Sequence, residues 1–149
     1  MNINIGLHPL KTSKPFKYGV WDVEASSLPG ETWGWHLEVI GCFDGEEYYH
    51  FRTVDTFLDH ILQRKYRHVR WFAHFGGRYD INFIFDRLRE RGDTKVEFYC
   101  SGSMVMRMKI RHGQDITYLC DSFRLLPAAL RDLCKAFDVA HQKGEYDFE

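Results

Sequence analysis

Two acidic residues with one residue between them, Asp22 and Glu24, form the first candidate site in the sequence. Alternate side chains of a β-strand point to the same face, so the two carboxylates would repel each other unless a cation joined them. Mg²⁺ and Mn²⁺ prefer oxygen ligands, and paired ions of this kind activate water in phosphoryl transfer. A solvated strand can carry the same pattern by chance. The neighbours Tyr18, Val20 and Trp21 instead indicate a buried strand, where uncompensated carboxylates are costly, and this favours a divalent-metal site.

A third acid, Asp80, lies in the segment HFGGRYDINFIFDRL, residues 74–88, where an apolar run ends at two glycines and a helical pattern follows. Aspartate is common at helix N-termini, so a simple capping role for Asp80 competes with a role as a metal ligand. Glycine lets a ligand approach the backbone closely, and Tyr79 and Phe83 could stack on the bases of a single strand. Packing in the core is the competing interpretation for both aromatic residues.

The first half of the chain shows the elements that would position Asp22 and Glu24. YGVWDVE, residues 18–24, is a short aromatic and β-branched run that predicts a buried strand. Asp44-Gly45 is a strong hairpin signal and predicts an antiparallel strand pair over residues 35–43 and 46–52. Thr53 begins a segment with apolar residues at helical spacing, which predicts a helix of about three turns.

The second half places Asp80 between a strand and a helix. VRWFAHF, residues 69–75, predicts a strand, and the helical period resumes after Gly76-Gly77 and continues to Arg91-Gly92. Pro127 suits the first turn of a last helix, which would run to Phe137 with Leu130, Leu133 and Phe137 buried. This order of elements predicts a mixed α/β domain. Three more strands are predicted over residues 95–100, 104–111 and 116–120.

The composition indicates one domain without a strong overall charge. The 149 residues are 44% apolar and include 20 basic and 21 acidic residues, so a nucleic-acid partner would have to be held by a local site. Four separated cysteines without a C-x-x-C pair indicate reduced thiols in a cytoplasmic protein. We find no signal peptide and no apolar run of about 20 residues, so no membrane partner is expected. Residues 1–16 are expected to be a flexible arm and residues 17–149 the domain.

Several segments, in the expected order, resemble the exonuclease domain of family B DNA polymerases, in the protein-primed branch of phages and linear plasmids. WDVEAS, residues 21–26, is similar to the first exonuclease motif of that family. AHFGGRYDINFIF, residues 73–85, resembles the second motif, which usually reads His-Asn-x-x-x-Tyr/Phe-Asp. ITYLCDSFRLLPAALRDLCKAFDV, residues 116–139, is similar to the strand, Asp-Ser, Leu-Pro and helix of the family, and QKGEYDFE, residues 142–149, resembles its Lys-Gly-acid segment.

The resemblance implies an RNase H-like mixed sheet flanked by helices and a metal-dependent removal of nucleotides from the 3′ end of single-stranded DNA. Asp22, Glu24 and Asp80 would then hold two Mg²⁺ or Mn²⁺ ions, and the remainder of a polymerase would be a further partner. Lys143 would help to hold the scissile phosphate, although by itself it is one more exposed lysine. The residues implied to contact the single strand are Tyr79, Phe83, Ser122 and Phe123.

The sequence also departs from the family at several positions. Phe75 stands where the family has an asparagine that binds the single strand, and Ala25 stands where a hydroxyl residue is common. The third motif, Tyr-x-x-x-Asp, has no match, because Tyr146 would require an aspartate at position 150. An excised fragment and a stand-alone relic both fit these departures, and so does a non-catalytic module that binds nucleic acid or protein. A purely structural domain would leave the acid pair unexplained.

Overall fold

The computed structural model describes residues 17–27 and 34–140, and within these ranges a seven-stranded mixed sheet forms the centre of the fold. The strand order is β3-β2-β1-β4-β7-β6-β5, in which β4 is parallel to both β1 and β7 and all other neighbours are antiparallel. The predicted arm, residues 1–16, and Lys143 lie outside the described residues. The strands are β1 (Tyr18–Ser27), β2 (Trp35–Phe43), β3 (Tyr48–Phe51), β4 (Arg70–Ala73), β5 (Thr94–Ser101), β6 (Met104–His112) and β7 (Asp115–Asp121).

Three α-helices and one 3-10 turn connect these strands. The hydroxyl of Thr53 caps α1 by accepting the backbone N–H of Thr56 at 3.3 Å, as the sequence predicts for this helix start. Eight residues make α1 about two turns long, shorter than expected, because the chain tightens into the 3-10 turn. No helix in the described ranges has the length and apolar character needed to cross a membrane. The bounds are α1 (Val54–Ile61), the 3-10 turn (Arg64–Tyr66), α2 (Asp80–Glu90) and α3 (Leu130–Ala136).

The core lies between one face of the sheet and helices α1 and α2. Along β1, Trp21 is buried whereas Asp22 is exposed, since successive side chains of a strand point to opposite faces. The Trp21 ring stacks on Phe57 of α1, with centroids 5.5 Å apart. The acids of β1 therefore face away from this core. The expected buried strand was wrong for this face, on which Tyr18 is 62% and Val20 is 46% exposed, because only the opposite face of β1 packs against the helices. Its most completely buried side chains are Ile40, Cys42, Phe57, Leu58, Ile61, Trp71, Ile84, Leu88, Met108, Ile110 and Leu119.

The hairpin predicted at Asp44-Gly45 is present between β2 and β3. Gly45 has a φ of +100°, a backbone conformation that suits glycine. The side chain of Asp44 accepts the backbone N–H groups of Glu46 and Glu47 at 3.0 and 2.8 Å and the hydroxyl of Tyr66 at 2.8 Å. These bonds join the hairpin to the 3-10 turn.

The last helix differs from the prediction. It begins at Leu130, not at Pro127, because the backbone N–H groups of Leu125 and Leu126 both donate to the carbonyl oxygen of Ser122 and form a separate turn first. The predicted buried stripe was also wrong, since Leu130 is 40% and Phe137 is 66% exposed. Within the described residues no side chain of α3 is fully buried, and of the predicted stripe only Leu133 is half-buried.

Candidate functional site

The candidate site lies where the parallel strands β1, β4 and β7 end. Parallel neighbours have their carboxyl ends at the same edge of the sheet, which is the usual ligand-binding edge of such sheets. Ala73 pairs with Asp121 at this edge. The segments that follow β4 and β7 therefore lie side by side, next to the end of β1 that carries the two acids.

Asp22 and Glu24 lie on the face of β1 that points away from the core. Asp22 pairs with Gly41 and Glu24 with Val39 on β2, and a register shift follows directly after Glu24. Asp22 lines an open cavity of about 1220 Å³. Burial alternates along β1 as far as Asp22, and Val23 between the two acids packs against the core, which leaves both acids on the opposite face. Other side chains that line the cavity are Phe43, Tyr48, Phe72, His74, Phe75, Ser122, Leu125, Leu130, Arg131 and Asp132.

Asp80 is the first residue of α2 and is only 7% exposed. The predicted strand-to-helix junction is therefore present, although Tyr79 occupies the capping position. A Cβ at Gly76 would lie 2.3 Å from the Cβ of Ala73 and 3.2 Å from an Asp80 carboxylate oxygen. Only glycine fits there, because any larger residue would collide with the end of β4 beside this carboxylate.

The three acids have the donor chemistry that a divalent cation requires, and they belong to segments that end at one sheet edge. Within residues 17–27 and 34–140, however, no three His, Cys, Asp or Glu side chains lie close enough together to form a metal site. The donor types and their common edge thus fit a divalent ion. Their role as a three-ligand group stays a prediction.

Asp121 organises the loop between β4 and α2. Its buried carboxylate accepts the backbone N–H groups of Phe75 at 3.2 Å, Gly77 at 3.1 Å and Phe123 at 2.7 Å. An aspartate at the end of a strand could cap the helix that follows. Asp121 caps two backbone turns instead of the last helix, which begins nine residues later at Leu130. This carboxylate fixes the path of the loop that leads to Asp80.

His74 connects the ends of β4 and β7 to the segment before α3. Its Nε2 lies 2.8 Å from the carbonyl oxygen of Ala128, and its Nδ1 lies 3.1 Å from the hydroxyl oxygen of Ser122. A carbonyl only accepts, so Nε2 carries a proton, and in the neutral ring Nδ1 accepts the hydroxyl of Ser122. The hydroxyl of Ser122, predicted to contact substrate, is thus engaged by His74. The sequence analysis did not predict His74 as a site residue. Its position as the first residue of the second exonuclease motif could have identified it.

An aromatic cluster adjoins this histidine. The rings of Phe75 and Phe123 have centroids 3.9 Å apart, Tyr79 lies 5.9 Å from Phe75, and His74 lies 5.7 Å from Phe123. Tyr79 is 59% exposed, whereas Phe83 is half-buried on α2. Phe75 has a φ of +66°, a conformation that bulky residues rarely adopt and that Asp121 supports by accepting its N–H.

The cysteines do not supply a reactive thiolate at this edge. All four are free, which agrees with the predicted reduced thiols. Burial raises the pKa of the Cys42 thiol, which lines the cavity, to about 12, and burial raises the pKa of Cys120 to about 11. Because the thiolate is the nucleophile, both side chains are inert at neutral pH. Neither Cys42 nor Cys120 is therefore a candidate nucleophile of this site.

Comparisons with known proteins give one matching family and a group of similar structures. Residues 60–149 match the family model of type B DNA polymerases, organellar and viral. The chain is also similar to solved structures of the DNA polymerase of Phi29. In its complex with single-stranded DNA the identity is 18% and the TM-score 0.73, and the match covers 90% of this chain and 26% of the polymerase. In the binary complex with primer-template DNA the identity is 19%, the TM-score 0.70 and the coverage 90% and 26%. None of the curated proteins matches the sequence.

At these identities the likeness to the Phi29 polymerase shows the fold. It confirms the expected RNase H-like class, a mixed sheet flanked by helices. The chain spans about a quarter of the length of the polymerase that it matches. The match to the family model covers the second exonuclease motif and all residues after it, and it confirms the resemblance to family B polymerases.

Proposed function

The chain belongs to the type B DNA polymerases of organelles and viruses, and on that premise we propose that residues 17–149 form a 3′–5′ exonuclease domain. Its reaction is hydrolysis of the 3′-terminal phosphodiester of single-stranded DNA. One observation carries this proposal: the acids of β1 and the acid that begins α2 belong to strands and loops that end at one sheet edge, and Asp22 there lines an open cavity.

In this proposal Asp22, Glu24 and Asp80 are the metal ligands. A bound Mg²⁺ or Mn²⁺ would activate water and offset negative charge at the phosphate. Neighbouring residues position these acids and the substrate. Asp121 holds the loop that leads to Asp80, and the absence of a side chain at Gly76 leaves room beside this carboxylate. Lys143 would hold the scissile phosphate by its charge.

The aromatic cluster would hold the single strand. Base stacking on aromatic side chains tolerates any sequence, which suits an enzyme that shortens arbitrary 3′ ends. Tyr79 is exposed enough to receive a base, and Phe123 supports Phe75 behind it. Phe83 and Ser122 complete the proposed contact set. Two structural neighbours in the family hold single-stranded or primer-template DNA, which supports DNA as the substrate.

The test is degradation of a 5′-labelled single-stranded oligonucleotide with Mn²⁺, comparing the parent protein with Asp22→Ala/Glu24→Ala. We expect stepwise 3′ shortening by the parent and a loss of at least about 100-fold in the double variant, since both proposed metal ligands of β1 are gone. A matched control is Glu46→Ala/Asp86→Ala, which removes two exposed carboxylates elsewhere and should shorten the strand like the parent. Equal activity in the β1 variant would refute the proposal.

A second candidate function is a non-catalytic nucleic-acid- or protein-binding module with the same fold. It is favoured by Phe75, which replaces the family asparagine, and by the lack of a three-ligand metal group among the described residues. This module would retain the oligonucleotide without metal, would release it at higher salt and would cleave nothing. Failure to bind nucleic acid at all would indicate a protein partner.

A further inference from the structure

A second concave surface lies at the opposite edge of the sheet, where β1 and β4 begin. It has a volume of about 640 Å³, and we call it the basic cleft, lined by Lys17, Arg64, Lys65 and Arg67. The backbone N–H of Arg70, the first residue of β4, donates to the carbonyl oxygen of Lys17 at 3.0 Å, which joins the two strand starts. Asp22 lies five positions after Lys17, roughly 17 Å along an extended strand. The cleft is therefore separate from the candidate nuclease site.

All four side chains that line the basic cleft are cations. Within the described residues, none of the four has a carboxylate within ion-pair distance, whereas four cations elsewhere are paired: Arg87, Arg91, Lys109 and Arg111. The sequence shows the same concentration of positive charge, since residues 60–79 contain five lysines and arginines and no acidic residue. With a net charge of −1 for the whole chain, this local excess is a property of one surface.

The fold holds these cations in place through Tyr66. Its ring is buried and meets Trp71 edge to face at 5.2 Å, and its hydroxyl donates to Asp44 at 2.8 Å. Arg64, Lys65 and Arg67 flank this anchored residue in the 3-10 turn and are exposed. The ammonium of Lys65 lies 4.5 Å from the centroid of the Tyr66 ring. An anchored turn loses less side-chain and backbone entropy on binding than a mobile loop would.

We propose that the basic cleft binds phosphates of a nucleic-acid backbone at a second contact, away from the edge that carries the acids. Four neighbouring cations match a run of phosphates better than a single carboxylate or small anion. The lining has no aromatic or apolar side chain on which a base could stack, so the contact recognises charge and is independent of sequence. Binding at this surface needs neither metal nor hydrolysis, and it goes beyond the proposed exonuclease activity.

The test measures binding of a fluorescent 20-nucleotide single strand in EDTA over a range of salt concentrations. The variant Arg64→Gln/Lys65→Gln/Arg67→Gln removes three exposed cations of the basic cleft, among which Lys65 also lies over the ring of Tyr66. Each phosphate contact to a single strand contributes about 0.7 to the slope of log affinity against log salt, so the slope should fall by about 2. Between 50 and 200 mM salt the parent should thus lose roughly 20-fold more affinity than the variant. Equal thermal midpoints would show that both are folded.

The matched control, Arg89→Gln/Lys95→Gln/Arg111→Gln, removes three cations from α2, β5 and β6 on the far side of the sheet. Its slope should stay close to that of the parent. The proposal is overturned if the cleft variant keeps the salt slope of the parent, or if the salt slope of the control falls as much as that of the cleft variant. It is also overturned if only binding to phosphatidylserine vesicles depends on the cleft, because the partner would then be a membrane surface.

A dinucleotide substrate separates this proposal from the proposed function. Such a substrate places its single phosphodiester at the acids and is too short to extend from Asp22 to the basic cleft, so the cleft variant should cleave it at the parent rate. The Asp22→Ala/Glu24→Ala variant should not cleave it but should keep the salt slope of the parent. Hydrolysis can therefore fail while the cleft binds, and the cleft can fail while hydrolysis persists.

Discussion

The carboxylate of Asp121 accepts the backbone N–H of Gly77 at 3.1 Å across 44 residues of sequence. The same carboxylate accepts the N–H of Phe75, two residues before Gly77, and the N–H of Phe123, two residues after itself. The end of β7 thereby determines the shape of the loop that follows β4. Because this loop leads directly to Asp80, Asp121 acts as a positioning residue for the proposed metal site without belonging to its ligands.

Replacing Asp121 with asparagine should destabilise the protein by about 2 kcal/mol. One carboxylate oxygen would become an amide N–H₂ that faces a backbone N–H, and a hydrogen bond from a buried donor to a charged group contributes about 1.5–3 kcal/mol. Urea unfolding measures the difference. Asp86→Asn, at an exposed carboxylate of α2, is the control and should stay within about 0.5 kcal/mol of the parent. Equal stability of the two variants would contradict this role of Asp121.

Gly77→Ala should be strongly destabilising, by about 3 kcal/mol or more. A Cβ at this position would lie 1.8 Å from the carbonyl oxygen of Val105, which is backbone on the neighbouring β6 and cannot move as a side chain would. Gly92→Ala is the matched control, since a Cβ there meets nothing within 4 Å. It should be neutral or slightly stabilising, because alanine restricts the unfolded chain more than glycine. The thermal unfolding midpoint should therefore fall clearly in Gly77→Ala and stay unchanged or rise slightly in Gly92→Ala.

Tyr79→Ala should weaken binding of a single strand by about 1–3 kcal/mol, the usual contribution of one base stacked on one aromatic side chain. Tyr79 is 59% exposed, so the loss should leave the stability of the fold almost unchanged. Tyr99→Ala, at another exposed tyrosine on β5, removes a similar ring away from the cluster. Anisotropy titrations with a short labelled oligonucleotide compare the two. A Tyr79 variant that binds as tightly as the Tyr99 variant would remove Tyr79 from the proposed contact set.

Asp44→Asn should destabilise the protein at pH 7, and the difference from the parent should shrink in acid. Hydrogen bonds from the backbone of Glu47 and Glu46 and from Tyr66 lower the pKa of Asp44 to about 2. The ionised carboxylate therefore stabilises the folded state fully above about pH 4, the ordinary range of an aspartate, and this contribution is lost as the pH falls towards 2. Urea unfolding of parent and variant at pH 7, 4 and 3 measures it. A constant difference at all three pH values would exclude this linkage.

Local sequence determined the elements and the place of the acids along the chain. The hairpin at Asp44-Gly45, the start of α1 at Thr53 and the junction at Asp80 depend on contacts within a few residues, and all three are present. The start and the burial of the last helix were predicted wrongly because that prediction also used local sequence alone. Pro127 suits a helix start locally, but the turn at Ser122 comes first, and no described element covers Leu130 or Phe137. Whether an apolar stripe is buried depends on what packs against it.

By itself, then, the sequence determined the family and the mixed α/β class and marked the three acids as candidates, since motifs and periodicity are properties of neighbouring residues. The tertiary structure alone decided which distant groups meet. It paired His74 with Ser122 and Asp121 with Gly77, and it brought Lys17 to the 3-10 turn of Arg64–Tyr66. These contacts form because parallel pairing aligns the ends of strands that lie tens of residues apart in sequence. No local sequence pattern shows which strand ends are aligned.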